Sequence, residues 1–214
     1  MVEQGAPNRC LYIIGAQSTG KTTLANAFED FYRDKSVRSE AATPTAPTVI
    51  REVARKVFKE KGYVREDITA SPARALEIQK NILAAQLKSE NSAINHAPPS
   101  GWYISDRSGL DPIVYAHLFV SEEAATEMLN TEGWRELRKY MKAGVVLLCE
   151  AGCRWLVDDG MRMMPEGREQ WMKIDGAFRE LLDREGISYS VVSKDMESIA
   201  ERVEFVQEQL KRKN

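Results

Sequence analysis

Short apolar runs alternate along the chain with longer segments in which apolar residues recur every three or four positions. The runs predict β-strands at Cys10–Ile14, Thr48–Ile50, 102–105, Val145–Cys149 and 187–192. The fourth run is apolar at every position, as is typical of a central parallel strand that is buried on both faces. Because strands and helical segments alternate throughout, the sequence predicts an α/β fold, with a parallel sheet covered by helices on both faces.

The longer segments predict the helices that would cover this sheet. They run from 23 to about 32, 53–61, 72 to about 94, 111–119, 122–141, 169–185 and 199 to about 210. Ser71 suits the cap of the long helix that begins at Pro72, and Gly62 is expected to end the helix before it. We expect a break near Gly133 within 122–141.

The segment directly after the first strand carries the clearest chemistry. Residues 15–22, GAQSTGKT, match the pattern GxxxxGK[ST] between a predicted strand and the start of a helix. Glycines let main-chain N–H groups point inward around phosphates, Lys21 supplies a mobile cation, and the Thr22 hydroxyl can ligate magnesium. An ordinary glycine-rich turn is the alternative, but this setting favours binding of a nucleoside triphosphate. The predicted contacts are Gly15, Gln17, Ser18, Thr19, Gly20, Lys21, Thr22 and Thr23.

Composition and charge narrow the class of protein further. With 214 residues, of which 43% are hydrophobic and 29% charged, the chain suits one globular domain over 1–214. A formal net charge of -2 gives no general attraction to nucleic acid, and no apolar run is long enough to span a bilayer. Cys10 and Cys149 are interpreted as core residues in a reducing compartment. We therefore expect a cytoplasmic protein without a nucleic-acid or membrane partner.

Polar residues follow the carboxyl ends of the predicted strands, where ligands collect in an open parallel sheet. Asp106 ends the third strand, where a carboxylate could hold magnesium beside the β- and γ-phosphates; a simple loop cap is the alternative. Glu52 follows the second strand and is placed to take or orient the proton of an acceptor hydroxyl. Its alternative role is a salt bridge to Arg51 or Arg55 on a solvated helix. Arg51 and Arg107 are placed to bind substrate, or alternatively to pair with surface carboxylates.

A segment rich in arginine and methionine, at about 154–169, follows the fourth strand. Arginines that a closing lid brings in stabilise the charge on a transferring phosphoryl group, and glycines can serve as hinges. Arg162 is the first choice for this catalytic contact and Arg168 is the second. A surface loop with scattered arginines is the alternative.

Other polar and aromatic residues carry no predicted role. Arg74 and Gln79 on the long helix are expected to lie on a solvated face; the alternative is that they face the acceptor, since helix geometry alone does not determine which way they point. Tyr63 and Tyr115 are interpreted as ordinary core or surface aromatic residues, and His117 has no partner pattern of a metal ligand or a catalytic base.

Four stretches resemble the NadR-type P-loop family: GAQSTGKT, IREVARKVF, ISDRSGLDPIVYA and DDGMR with a further arginine. This family includes ribosylnicotinamide kinase domains and related eukaryotic ATP/GTP-binding proteins. The resemblance extends from about residue 9 to residue 206. It implies a three-layer P-loop NTPase sandwich, with a five-stranded parallel sheet in the order 2-3-1-4-5 and a lid. The HxGH-type signature of an adenylyltransferase is absent, so only the kinase-like half of a bifunctional NadR protein is implied.

The resemblance also implies roles for single residues. Lys21 and Thr22 would bind the nucleotide phosphates and magnesium, and Asp106 would lie beside the metal. Glu52 and Arg107 would lie by the acceptor, and the DDGMR stretch would belong to the lid.

The sequence leaves two functions open. The leading hypothesis is a kinase that transfers the γ-phosphate of ATP to a hydroxyl of a nucleoside-like acceptor, with magnesium. A second carboxylate and an arginine-bearing lid favour it. The alternative is an ATP- or GTP-binding regulatory or trafficking NTPase with slow hydrolysis and no small-molecule acceptor. Residues 193–195, Ser-Lys-Asp, have the wrong spacing for the guanine-reading [NT]KxD motif, and the acidic balance disfavours a nucleic-acid-associated ATPase.

Overall fold

Parallel strands form the centre of the structure, a computed structural model that describes residues 10–38, 47–96, 102–153 and 167–213. The strands are β1 (Cys10–Ile14), β2 (Thr48–Ile50), β3 (Tyr103–Asp106), β4 (Val145–Cys149) and β5 (Ser190–Val192). They pair in the order β2-β3-β1-β4-β5, all parallel, which confirms the predicted sheet and its order. Most of the predicted lid, including Arg162, lies outside the described residues.

Helices cover both faces of this sheet. In the described residues they are α1 (Lys21–Arg38), α2 (Val53–Lys61), α3 (Asp67–Ala70), α4 (Pro72–His96), α5 (Leu110–Phe119), α6 (Glu122–Leu129), α7 (Glu132–Ala143), α8 (Arg168–Glu185) and α9 (Ile199–Arg212). The prediction for α2 is confirmed at both ends, and Gly62 ends it in the left-handed conformation at φ 68°. Ser71 Oγ accepts a hydrogen bond from the N–H of Arg74 at 3.2 Å, which confirms the predicted cap of α4.

Alternate residues of β1 pack into two separate hydrophobic layers. Cys10, Tyr12 and Ile14 join the core formed with α2, α4, α5, α7 and α8. Leu11 and Ile13 join the core formed with α1 and α9 on the opposite face. Every residue of β1 is at most 2% exposed, so the strand needs apolar side chains in both directions. This double burial is the physical reason for the unbroken apolar run in the sequence.

Some element boundaries differ from the prediction. Helix α1 extends from Lys21 to Arg38 and not from 23 to about 32. The break predicted near Gly133 is confirmed and lies at 130–131, because Thr131 Oγ1 accepts a hydrogen bond from the N–H of Trp134 at 3.2 Å. The cap thus sets the start of α7, and Gly133 lies within its first turn. The strand predicted from residue 187 begins at Ser190 instead. The N–H of Ile187 donates to the carbonyl of Leu182 at 2.9 Å and closes the end of α8.

Two expectations from composition can be compared with the structure. The cysteines at 10, 149 and 153 are all buried and unpaired, so the interpretation of Cys10 and Cys149 as core residues is confirmed. Among the described helices, none combines the length and the apolar character needed to cross a bilayer.

Candidate active site

The glycine-rich loop lies where the sequence predicts it, between the end of β1 and the start of α1. Its backbone turns through left-handed conformations at Gly15 (φ 128°), Ser18 (φ 58°) and Gly20 (φ 86°). A Cβ atom on Gly15 would lie 2.5 Å from the carbonyl oxygen of Cys149 on β4. Only glycine therefore lets the loop leave the sheet so close to the neighbouring strand.

Side chains from the far end of the chain brace this loop. The indole N–H of Trp171 on α8 donates to the carbonyl of Gln17 at 2.9 Å. A guanidinium N–H of Arg202 on α9 donates to the carbonyl of Thr19 at 3.1 Å. Both side chains are buried, at 2% and 3% exposure. Both side chains donate to carbonyl oxygens of the loop. These bonds therefore hold the loop in one conformation and do not use its main-chain N–H groups.

Lys21, predicted to contact phosphate, is only 4% exposed. Its ammonium donates to the carbonyl of Ala16 and lies 3.4 Å from Thr19 Oγ1, so it lies along the inside of the loop. Burial, followed by the positive charge of Arg107, lowers the pKa of Lys21 to about 8. A nearby polyanion would favour the charged form of this group.

Thr22 and Asp106, the predicted metal ligands, are brought together. The hydroxyl of Thr22 donates to Oδ2 of Asp106 at 2.6 Å, although the two residues lie far apart in the chain. Asp106 is 1% exposed, and its Oδ1 atom has no hydrogen-bond partner among the described residues. A buried carboxylate oxygen without a partner beside a threonine hydroxyl fits the oxygen-donor preference of magnesium.

Glu52, Arg107 and Asp111 form a largely buried charge cluster beside the loop. Oε1 of Glu52 lies 2.8 Å from Nη2 of Arg107, and Oε2 lies 2.8 Å from Nε of Arg55. Asp111 Oδ1 lies 3.6 Å from Nη1 of Arg107. The predicted alternative for Arg107, a surface carboxylate, is wrong because its partners are buried carboxylates, 10% and 5% exposed.

The electrostatics of this cluster follow from its burial. Burial acts to lower the pKa of Arg107, but Glu52, Tyr115 and Asp111 outweigh it, and the pKa is raised above its usual value. Burial also raises the pKa of Asp111, against the lowering effects of Arg107 and Lys21. The backbone of Arg107 holds a left-handed conformation (φ 82°), and its N–H donates to the carbonyl of Ile13 at 3.0 Å. A strained backbone thus aims the guanidinium between the two carboxylates.

A cavity of about 880 Å³ opens next to this cluster, between α2, α3, α4 and α5. Its polar wall includes Gln17, Glu52, Gln79, Gln86, Arg107 and Asp111. Its apolar wall includes Val53, Phe58, Tyr63, Ile68 and Ile82. The volume suits a small molecule with an apolar body and several polar groups.

The remaining predicted site residues lie in different places. Arg51 is about half exposed and pairs with Asn26 and Glu29 on α1, away from the cavity. Thr23 is an exposed residue of the first turn of α1. Arg168 begins α8 and is exposed.

Two expectations about the long helix and the aromatic residues need correction. Gln79 is 6% exposed and lines the cavity, so its predicted solvated position is wrong. Arg74 is partly exposed and pairs with Asp67 and Glu77. Tyr115, interpreted as an ordinary aromatic residue, lines the cavity, and its hydroxyl donates to Oε1 of Gln17 at 2.8 Å.

Sequence reasoning also missed Asp111 as a functional residue. It interprets Asp111 and Pro112 only as the start of a helix, yet Asp111 Oδ2 accepts from the N–H and the hydroxyl of Ser108 at 2.7 and 2.9 Å. The signal that could have found it is its spacing of one helical turn after Arg107. Trp171 and Arg202 carry no local signal, because only tertiary packing brings them to the loop.

With this geometry in view, comparisons with known proteins identify the family. The family described as AAA domain matches residues 10–202, nearly the whole chain. The chain belongs to this family. No similar sequence was found among curated proteins.

Solved structures of low sequence identity share the fold of this AAA domain. A NadR protein in complex with NR has a TM-score of 0.69 and 16% identity, and the match covers 96% of this chain and 52% of that one. Thymidylate kinase from Candida albicans has a TM-score of 0.62 and 13% identity, and the match covers 96% of this chain and 92% of that one. Deoxyadenosine kinase from M. mycoides with bound dATP has a TM-score of 0.56 and 14% identity, and the match covers 94% of this chain and 99% of that one. This AAA domain therefore has the fold of P-loop nucleotide kinases and spans about half the length of the NadR chain.

Proposed function

We propose that this chain is an ATP-dependent kinase that transfers the γ-phosphate to a hydroxyl of a nucleoside-like acceptor. One observation carries the proposal: a small-molecule cavity adjoins the phosphate loop, with Gln17 of that loop and the charged pair Glu52–Arg107 in the same wall. An acceptor bound in this cavity would have its reacting end beside the γ-phosphate. The proposal is further supported by the fold, which nucleoside and nucleotide kinases share.

The transfer itself is an in-line displacement. The acceptor oxygen forms a bond to the γ-phosphorus, while the bond from that phosphorus to the β–γ bridging oxygen breaks. Glu52 takes the hydroxyl proton, and the nucleoside diphosphate leaves with the electron pair of the bridging oxygen. Two arginines hold the Glu52 carboxylate in one orientation, which positions it for this proton.

Other residues stabilise the charge that develops. In this proposal Lys21 binds the β- and γ-phosphates, and Arg107 contacts the transferring group. Thr22 and Asp106 would hold a magnesium ion, which neutralises charge on the phosphates when bound. Arg162 and Arg168 stay proposed lid contacts.

The ligands in structures of similar fold make the proposed substrate more specific. The NadR structure contains NR, and the deoxyadenosine kinase structure contains dATP. A ribosylnicotinamide-like riboside is therefore the first acceptor to test, followed by the common nucleosides.

A panel of nucleosides and pyridine ribosides, incubated with γ-labelled ATP and magnesium, tests this function. Label transfer to one acceptor, with KM in the micromolar to millimolar range, is the expected result. Hydrolysis that no acceptor accelerates would instead support a regulatory NTPase. GTP in place of ATP in a parallel series determines the preferred base.

A further inference from the structure

Helix α4 places two glutamine side chains in the wall of the cavity. Gln79 and Gln86 are 6% and 2% exposed, and both line the cavity together with Ile82. Their spacing of seven residues equals about two helical turns, so they lie on the same face of α4. Buried amides need hydrogen-bond partners, and neither carbonyl oxygen receives one from the residues that the structure describes.

The orientation of the Gln86 amide is fixed from behind. Its Nε2 atom donates to Oε1 of Glu90 at 2.8 Å and to Oγ of Ser105 at 2.9 Å. Both amide hydrogens are therefore used. A rotated amide would turn its carbonyl oxygen toward an oxygen of Glu90, which can only accept there. Gln86 thus presents its carbonyl oxygen, and not its NH₂ group, to the cavity.

Glu90 is itself unable to turn. It is 0% exposed, and its Oε2 atom accepts from the hydroxyls of Tyr12 and Tyr103 at 2.6 and 2.8 Å. The two tyrosines extend from β1 and β3, so the rigid sheet anchors one carboxylate oxygen and leaves the other to Gln86. The polarity of the cavity wall is consequently set by a residue that does not line the cavity.

We propose that Gln86 recognises a hydrogen-bond donor on the phosphate acceptor, and that Glu90 is the positioning residue that fixes this preference. The inference rests on the proposed function, in which the acceptor occupies this cavity. The donor is an uncharged N–H of the base or an O–H of the sugar, since both chemistries satisfy a carbonyl oxygen. Gln79 supplies a second amide contact on the same side of the acceptor.

Pairs of acceptors that differ at one edge test the base as the donor. Cytidine and uridine, and adenosine and inosine, exchange an exocyclic amino group for a carbonyl, and the carbonyl member gains a ring N–H at the neighbouring position. With the wild-type chain, the two members of a pair should differ in kcat/KM by at least about tenfold, because only the member whose N–H lies opposite Gln86 satisfies its carbonyl oxygen. The 2′-deoxy and 3′-deoxy nucleosides form the second arm of the test. A tenfold lower kcat/KM for one of them assigns the donor to the sugar.

Three variants make the test specific. Gln86→Met should reduce the discrimination in the responding arm to within about twofold. Glu90→Gln, which is nearly isosteric and uncharged, offers an NH₂ group to Gln86 and should turn its amide. The preference within a base pair should then weaken or reverse, a result that a merely structural role would not give. Gln209→Met on α9 is the matched control, since Gln209 is also buried but lies outside the cavity, bonded to Ser190.

The two proposals fail in different ways. If the wild-type chain phosphorylates no nucleoside, the kinase proposal fails, and calorimetric binding of the same pairs decides the role of Gln86. Discrimination by Gln86→Met equal to that of the wild type, in turnover or in binding, would overturn the inference. So would the absence of binding by every nucleoside. If Gln86→Met does not fold, Glu90→Gln gives the same decision through the direction of the preference.

Discussion

Lys21 is a cation held almost entirely out of solvent, and its position favours ligand binding over stability. Its folded pKa of about 8 lies below its ordinary value of 10.5, mainly because of burial. The unfolded chain therefore binds this proton more tightly than the folded chain. The charge on Lys21 destabilises the fold below about pH 8, and the penalty disappears as the pH rises from about 8 toward 10.5.

Replacement of Lys21 by methionine should separate stability from function. Without nucleotide at pH 7, we expect Lys21→Met to raise the free energy of unfolding by on the order of 1–3 kcal/mol, because a buried charge is removed. The same variant should lose triphosphate binding. Urea unfolding measures the first effect and calorimetry with ATP and magnesium the second. Wild-type ATP affinity in Lys21→Met would contradict the assigned role.

Glu52 is the residue on which the proposed chemistry depends most. Glu52→Gln keeps the size of the side chain but cannot take a proton, so phosphoryl transfer should fall by roughly 10²–10⁴-fold while nucleotide affinity is retained. Glu60→Gln is the matched control, because Glu60 lies on α2, which Glu52 directly precedes, and is exposed. Equal turnover of the two variants would remove Glu52 from the role of base.

At the scale of elements, the strand-to-helix junctions combine local chemistry with close packing. The loop after β1 depends on β4 as much as on its own glycines, since the two strands approach at Gly15 and Cys149. The break between α6 and α7 shows the opposite case, because Thr131 caps α7 with a purely local bond. A helix boundary that a local hydrogen bond sets can be predicted from the sequence. Here Gly133 also signals a break, and it lies two residues after the actual cap at Thr131.

Gly15→Ala tests the junction between β1 and β4. The new Cβ would lie 2.5 Å from the Cys149 carbonyl at a φ of 128°, so the loop must shift. We expect a loss of roughly 2–4 kcal/mol in the free energy of unfolding, together with weaker nucleotide binding. Gly186→Ala is the control, since it has a positive φ but meets only the flexible end of Lys142. Similar losses in both variants would show that backbone conformation alone, without the contact, explains the effect.

At the scale of the whole molecule, Glu90 joins α4 to two central strands through a network of hydroxyl groups. Its carboxylate oxygen and the hydroxyls of Tyr12 and Tyr103 make three mutual contacts of 2.6 to 2.8 Å. Burial raises the pKa of Glu90 to about 7, against the lowering effect of its hydrogen bonds.

This network predicts a dependence of stability on pH. Since the folded pKa of Glu90 is about 7 and its ordinary value is 4.5, the folded chain keeps a proton that the unfolded chain loses. Its contribution is complete below about pH 4.5 and declines until about pH 7, by on the order of 3 kcal/mol. The difference in unfolding free energy between wild type and Glu90→Gln, followed from pH 5 to pH 8, measures it. A difference that does not change with pH would contradict the raised pKa.

The sequence by itself determined the buried strands, their alternation with helices along the chain, and the phosphate loop. Each of these is written in neighbouring residues: a strand buried on both faces must be continuously apolar, and the loop motif is contiguous. The tertiary structure alone decided that Gln79 and Gln86 face a cavity and that Asp111 shares Arg107 with Glu52. It also brought Trp171 and Arg202 to the loop. These groups are far apart in the sequence. Helical spacing predicts which residues share one face of a helix, but it does not predict what that face contacts.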